Sequence, residues 1–268
     1  MKNFLFVGLT LILGISGASA QMDGGAPQGY ASAALAGGDL WSAYYNQAGL
    51  AQIKGVSAGV FYNNAFMIPE LGTGGAVVAV PLGKQVLAGS IRSFGYSLYN
   101  EGKYSLAYAR ILGENVRVGV QFNAQTVRIG EGYGRKSVFT VEGGLSYDAG
   151  KHVTLSAHVY NPNQARLHTY EDERLPALLR AGARYTFSEK LFLEADVWKP
   201  VNHDPQLRIG TEYWIHELIA LRAGVSTGAF QSYFGAGVKL GKFELDISSA
   251  YHSVLGFSPQ LALAYHGK

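Results

Sequence analysis

The chain has 268 residues, of which 48% are hydrophobic and only 15% charged, with a mean hydropathy of +0.06. That balance excludes a disordered chain, and 35 glycines without a three-residue repeat exclude collagen. A scattered formal charge of +3 excludes a nucleic-acid-binding protein, and zero cysteine excludes disulfides, thiolate metal sites, thiol nucleophiles and a lipidated cysteine anchor.

Residues 1–20 read as an export signal. Lys2 supplies the positive start, Phe4 to Ile15 form an apolar core too short to cross a bilayer as a helix, and Ala18-Ser19-Ala20 offers the small-x-small cleavage pattern. Gln21 is therefore the predicted mature N-terminus. Residues 21–54 are rich in Gly, Ala and Ser, with a weakly helical patch near Ala31–Ala36 and no long alternation. Leu40, Trp41, Tyr44, Tyr45 and Leu50 within them need burial, so this segment is expected to fold inward as a hatch.

From residue 55 to 268 the dominant signal is alternation, the period of a strand with two different faces. Val116, Val118, Val120 and Phe122 oppose Arg117, Gly119, Gln121 and Asn123; Leu191, Leu193, Ala195 and Val197 oppose Phe192, Glu194, Asp196 and Trp198. Short turns at Pro81–Lys84, Leu112–Glu114, Asp148–Lys151, Phe187–Lys190, Ile215–Glu217 and Leu240–Lys242 alternate with looser connections, at Ala65–Gly72, Ser97–Lys103, Gly130–Lys136, Asn161–Arg174, Pro200–Pro205, Thr227–Gln231 and Ser253–Ser258. Such sorting of turns belongs to an outer-membrane barrel, and it implies about fourteen strands with both ends on the short-turn side. Segments of about 9–12 residues match the roughly 9–11 of a tilted membrane-crossing strand. Tyr147, Tyr185, Phe187 and Tyr265 near the short turns suit an interfacial girdle, and Lys84, Lys151, Lys190 and Lys242 can reach headgroups from there. No segment of the mature chain offers the apolar run a membrane helix needs. The predicted fold is an all-β, transmembrane antiparallel β-barrel of about 14 strands with an N-terminal hatch.

The predicted inner faces carry Arg117, Glu142, Arg180, Arg184, Glu194, Asp196, Arg208, Glu212, Arg222, Glu244 and Asp246. Both signs are nearly balanced, which reads as a salt-bridged network bracing the wall or holding the hatch rather than an ion-selecting ring. Catalytic pairs on those faces reduce to His158 with Ser156 and His252 with Asp246; no nucleophile motif accompanies them, and no enzyme is expected. Gly130-Glu131-Gly132-Tyr133-Gly134 lacks phosphate-loop spacing and reads as a loop. His168, Glu171, Asp172 and Glu173 read as a solvated acidic loop rather than a calcium site, so no metal or cofactor is expected. Gly95, inside an otherwise regular third strand, reads as an ordinary barrel bend sooner than as a kink for a gap in the wall.

The run Asn46-Gln47-Ala48-Gly49-Leu50-Ala51 resembles the Asn-Pro-Ala-Gly-Leu-Ala signature near the hatch of the FadL-like outer-membrane barrels, and more closely the PorV/PorQ branch found in Bacteroidetes. Gln47 stands where that signature has proline. Phe187–Leu191, Gly210–Trp214, Leu221–Val225 and Gly235–Lys239 extend the resemblance along most of the mature chain. It implies a non-enzymatic outer-membrane barrel with both mature termini periplasmic. Its first implied role is accessory or cargo handling in type IX protein secretion, and the alternative is FadL-like transport of hydrophobic small molecules. The partners it implies are outer-membrane lipids, with type IX secretion subunits or a hydrophobic ligand. The chain departs from the group at its end, where His266-Gly267-Lys268 follow the last aromatic, Tyr265.

Overall fold

The computed structural model describes residues 24–130, 134–166 and 174–267. The export signal, Glu131 to Tyr133 and the acidic loop containing His168 lie outside the described residues. Fourteen antiparallel strands form one closed barrel: β1 (Ser57–Asn64), β2 (Gly72–Leu82), β3 (Gln85–Gly95), β4 (Tyr99–Leu112), β5 (Val116–Ile129), β6 (Gly134–Asp148), β7 (Val153–Tyr160), β8 (Leu178–Ser188), β9 (Leu191–Pro200), β10 (Gln206–His216), β11 (Ile219–Ser226), β12 (Gln231–Leu240), β13 (Phe243–His252) and β14 (Gly256–His266). Each strand pairs with its sequence neighbours, and β1 closes on β14 from Ser57↔His266 to Asn63↔Gln260. Closure removes every sheet edge, the condition for strands to stand in hydrocarbon.

The two rims differ. The near rim carries both ends of the wall and the tight turns 83–84, 113–115, 149–152, 189–190, 217–218 and 241–242. Gly83 (φ 68°) and Gly241 (φ 63°) supply the left-handed residue that such turns require. The far rim carries the connections 65–71, 96–98, 130–133, 161–177, 201–205, 227–230 and 253–255.

Two expectations change here. The connection expected at Ser97–Lys103 shrinks to residues 96–98, closed by Tyr96 N–H donating to Tyr99 O at 2.7 Å. Lys103 therefore belongs to the wall. Gly95 (φ 97°) makes this turn, and a Cβ there would lie 2.2 Å from Tyr99 O. The β3–β4 ladder runs unbroken to Gly95↔Asn100, so Gly95 opens no gap.

Alternation places one side chain in two outside. Val60, Tyr62, Val78, Ile91, Leu106, Phe122, Phe139, Leu193, Phe234, Ile247 and Leu261 are all exposed outward. A continuous apolar band of this kind is the lipid-facing surface of a membrane barrel. No helix among the described residues is long and apolar enough to span a membrane; the strands do the crossing.

The inner faces surround residues 24–54. Every described residue from 24 to 51 is buried except Gly38 and Asp39, which are half-buried. A short 3-10 turn covers Ala26–Tyr30, a single α turn (α1) covers Ser42–Tyr45, and another 3-10 turn covers Gln47–Gln52. The patch at Ala31–Ala36 is not helical: Ala31 (φ 61°) and Ser32 (φ 54°) are left-handed and reverse the chain after Tyr30.

Candidate functional site

The lumen has two unlike walls, and the inner segment is amphipathic to match. Its Leu40, Trp41, Tyr44, Tyr45 and Leu50 pack on Phe61, Val77, Ala79, Val86, Ala88, Ala107, Ala109, Ala262 and Ala264, the near-rim halves of β14 and β1–β4. The alanines keep that wall shallow enough for aromatic rings to seat. Trp41 and Tyr44 meet Phe61 edge-on, with centroids 6.2 and 5.4 Å away. The Tyr44 hydroxyl donates to Ala76 O at 2.8 Å, so the apolar seat also fixes depth.

Most other polar groups of the segment face β6–β10. Leu35 N–H donates to Asp196 Oδ2 (3.2 Å) and Ala36 N–H to Glu194 Oε1 (2.6 Å). Asn46 Nδ2 donates to Leu35 O (2.8 Å), Ser146 Oγ (3.2 Å) and Leu145 O (3.3 Å), while its Oδ1 accepts from Ala48 N–H (3.2 Å). Asn46 thus caps the turn that begins at Gln47, where the resembled signature uses proline. Gln47 spends its side chain on the wall: Nε2 donates to Glu142 Oε2 at 3.1 Å, and Oε1 lies 3.1 Å from His158 Nε2. Ala48, Gly49 and Leu50 complete the turn, all buried.

Glu142 is a hub, buried and touched by Lys103 (2.5 Å), Asn123 (2.9 Å), His158 (3.2 Å) and Gln121 (3.3 Å) besides Gln47. Arg180 Nη2 lies 3.0 Å from His158 Nδ1 and its guanidinium covers one side of Trp198 (4.7 Å). Arg208 stacks on the same ring at 3.7 Å and donates to Ala31 O at 3.2 Å. Arg184 grips Glu194 (2.6 Å) and lies over Phe192, whose ring meets Tyr30 edge-on. Arg222 gathers Glu212 (2.6 Å), Glu244 (3.0 Å) and Asp246. Arg117 stands apart at the near rim, paired with Asp148 at 2.6 Å. Most of these buried charges face an opposite charge, which offsets their desolvation; Asp196 instead accepts from Leu35 N–H, and Arg208 rests on Trp198 and Ala31 O. In the segment itself, desolvation raises the Asp39 carboxyl pKa, opposed by Arg184.

Sequence reading missed Lys103, Asp148 and Gln28. Gln28 Nε2 donates to Ser258 O on β14 (3.4 Å), and its Oε1 accepts from Asn63 on β1 (2.8 Å). Lys103 carried a legible signal, since it shares parity with the inward Ala107 and Ala109. The catalytic pairs weighed from sequence are not brought together: Ser156 bonds Ser146 (2.9 Å) while His158 bonds Gln47 and Arg180, and His252 caps far-rim backbone while Asp246 pairs with Arg222.

Asn46→Ala would strand the Leu35 carbonyl and Ala48 amide in the dry interface. We expect a loss of about 2 kcal/mol, read as a lower denaturation midpoint of the purified barrel in detergent.

No protein-family model matches the chain, and no curated protein matches it. Solved structures do. The toluene transporter TbuX of Ralstonia pickettii is similar at a TM-score of 0.72, with 11% identity over 92% of this chain and 99% of that one. The monoaromatic hydrocarbon channel CymD gives 0.69, with 12% identity over 90% and 96%. A FadL homologue of Pseudomonas aeruginosa gives 0.62, with 13% identity over 90% and 97%. At these identities the shared property is the fold, a FadL-like fourteen-stranded barrel.

Proposed function

We propose that the chain is a non-enzymatic outer-membrane channel that passes small hydrophobic compounds, with residues 24–54 as its hatch. The observation that carries this reading is the apolar half of the inner wall. On β14 and β1–β4 it is lined by Phe61, Val77, Ala88 and Ala107 and their neighbours, and the hatch covers it mainly with side chains. Moving the hatch off that face uncovers an apolar track; it breaks hydrogen bonds, among them Tyr44 Oη to Ala76 O and Ala36 N–H to Glu194, but no ion pair among the described residues. The polar wall opposite holds the hatch in register. Far-rim tips add an apolar collar in Met67, Ile68, Phe230, Val254 and Leu255, suited to gathering apolar solutes. The similar structures, a toluene transporter and a monoaromatic hydrocarbon channel, agree with this reading.

In this orientation the near rim, where β14 ends, faces the periplasm. The type IX accessory role rests on the PorV/PorQ resemblance alone, and the similar structures favour the transport reading over it. The test is uptake: proteoliposomes holding the full chain are expected to take up labelled monoaromatic hydrocarbons faster than empty vesicles, while glucose entry stays at background. Equal hydrocarbon uptake would sink the proposal, and secretion subunits copurifying from native membrane would restore the accessory role.

A further inference from the structure

A cavity of about 400 Å3 opens at the near rim, between the inner segment and the ends of β5–β8. It is separate from the apolar seat, which lies on β14 and β1–β4. Register assembles it: Asp148 faces Thr154 across β6–β7, and Thr154 faces Arg184 across β7–β8. Arg117 and Lys151 complete a lining in which three fixed cations face one carboxylate.

That carboxylate is already spent. Asp148 Oδ1 accepts from Arg117 Nη2 (2.6 Å) and from Thr154 Oγ1 (2.8 Å). The Arg117 side chain is only 8% exposed, its Nε is buried with no partner, and its Nη1 meets no acceptor among the described residues. Arg184 donates Nε to Glu194 Oε2, and its Nη2, 2.6 Å from the same oxygen, is likewise buried without a hydrogen-bond partner. Lys151 stands exposed in the turn 149–152 at the cavity's lip. A buried guanidinium nitrogen without an acceptor is costly, and its planar N–H fork suits an oxyanion. A hydrocarbon gains nothing from such walls.

We propose that this cavity binds a small oxyanion, of the phosphate or carboxylate type, between Arg117 and Arg184 with Lys151 closing over it. The site is independent of the hydrocarbon track, so failure of hydrocarbon uptake leaves it standing.

The experiment is calorimetric titration of the full-length protein in detergent with inorganic phosphate, and separately with acetate, at constant ionic strength against chloride. Saturable binding of either anion is expected, and the stronger of the two names the chemistry. Arg117→Gln is expected to weaken it about tenfold or more, and Lys151→Gln less so, with the far-rim Arg128→Gln unchanged. Absence of saturable binding by both anions would overturn the proposal, as would an Arg117→Gln protein that binds as well as the native chain. Should Arg117→Gln not fold, the exposed Lys151→Gln decides, and unchanged affinity there would overturn it.

Discussion

Replacing Glu142 with alanine is expected to lower the stability of the folded barrel by about 3–5 kcal/mol. The carboxylate is 1% exposed, and its removal leaves Lys103, itself 13% exposed, as a charge without its counter-ion. It also takes an acceptor from Asn123, Gln121, Gln47 and His158 together, on both the wall and the inner segment. Because Gln47 belongs to the segment, the loss has two readouts: the denaturation midpoint falls, and the segment becomes open to protease while the strands stay protected. Glu70→Ala, in the far-rim connection, serves as control. A Glu142→Ala protein within about 1 kcal/mol of the native one would show that the hub is worth no more than a surface ion pair.

Arg222→Met is the second large effect, and its cause is repulsion rather than a missing acceptor. One guanidinium, with its side chain 2% exposed, lies between Glu212, Glu244 and Asp246. Methionine keeps the bulk and removes the charge, leaving the carboxylates to face one another in a poorly hydrated site. A loss of about 3–5 kcal/mol is expected. Asp246→Asn in the same chain should return part of it, because one negative charge leaves the cluster. The double-mutant cycle then gives a coupling of about 1–3 kcal/mol. Additive effects would refute the repulsion account.

Much of this was legible before any coordinates. Alternation reports a wall between two media, and here every strand has lipid on one side and a packed lumen on the other, apolar along β14 and β1–β4 and polar opposite. The inward residues from Arg117 to Asp246 follow from parity alone. Two ion pairs, Arg184 with Glu194 and Glu212 with Arg222, are directly cross-strand, but each depends on a register shift beside its turn, at Thr186/Ser188 and at Trp214/His216, that turn length alone does not give. The start of β4 was hidden because Ser97, Asn100 and Gly102 look like loop, although Tyr99 to Leu112 form one ladder with β5. The contact of Lys103 with Glu142 was also hidden, since it reaches across β5 and needs the register of three strands. The path of residues 24–54 had no period to read. Its shape is set by the walls, and its left-handed residues at Ala31 and Ser32 answer to Tyr30 lying against Gly210 and Gly224.

Gln28 has a consequence for assembly. It bonds Asn63 on β1 and Ser258 on β14, the two strands that meet at the seam, and Gln260 on β14 donates to Gly25 O beside it. Hairpins between sequence neighbours close small loops, whereas the seam joins Ser57 to His266 and closes the largest. The seam therefore zips last, and residues 24–30 must already be inside to staple it. A barrel made without them would lose the bonds that hold its final joint shut, and would be slow to mature rather than merely unblocked.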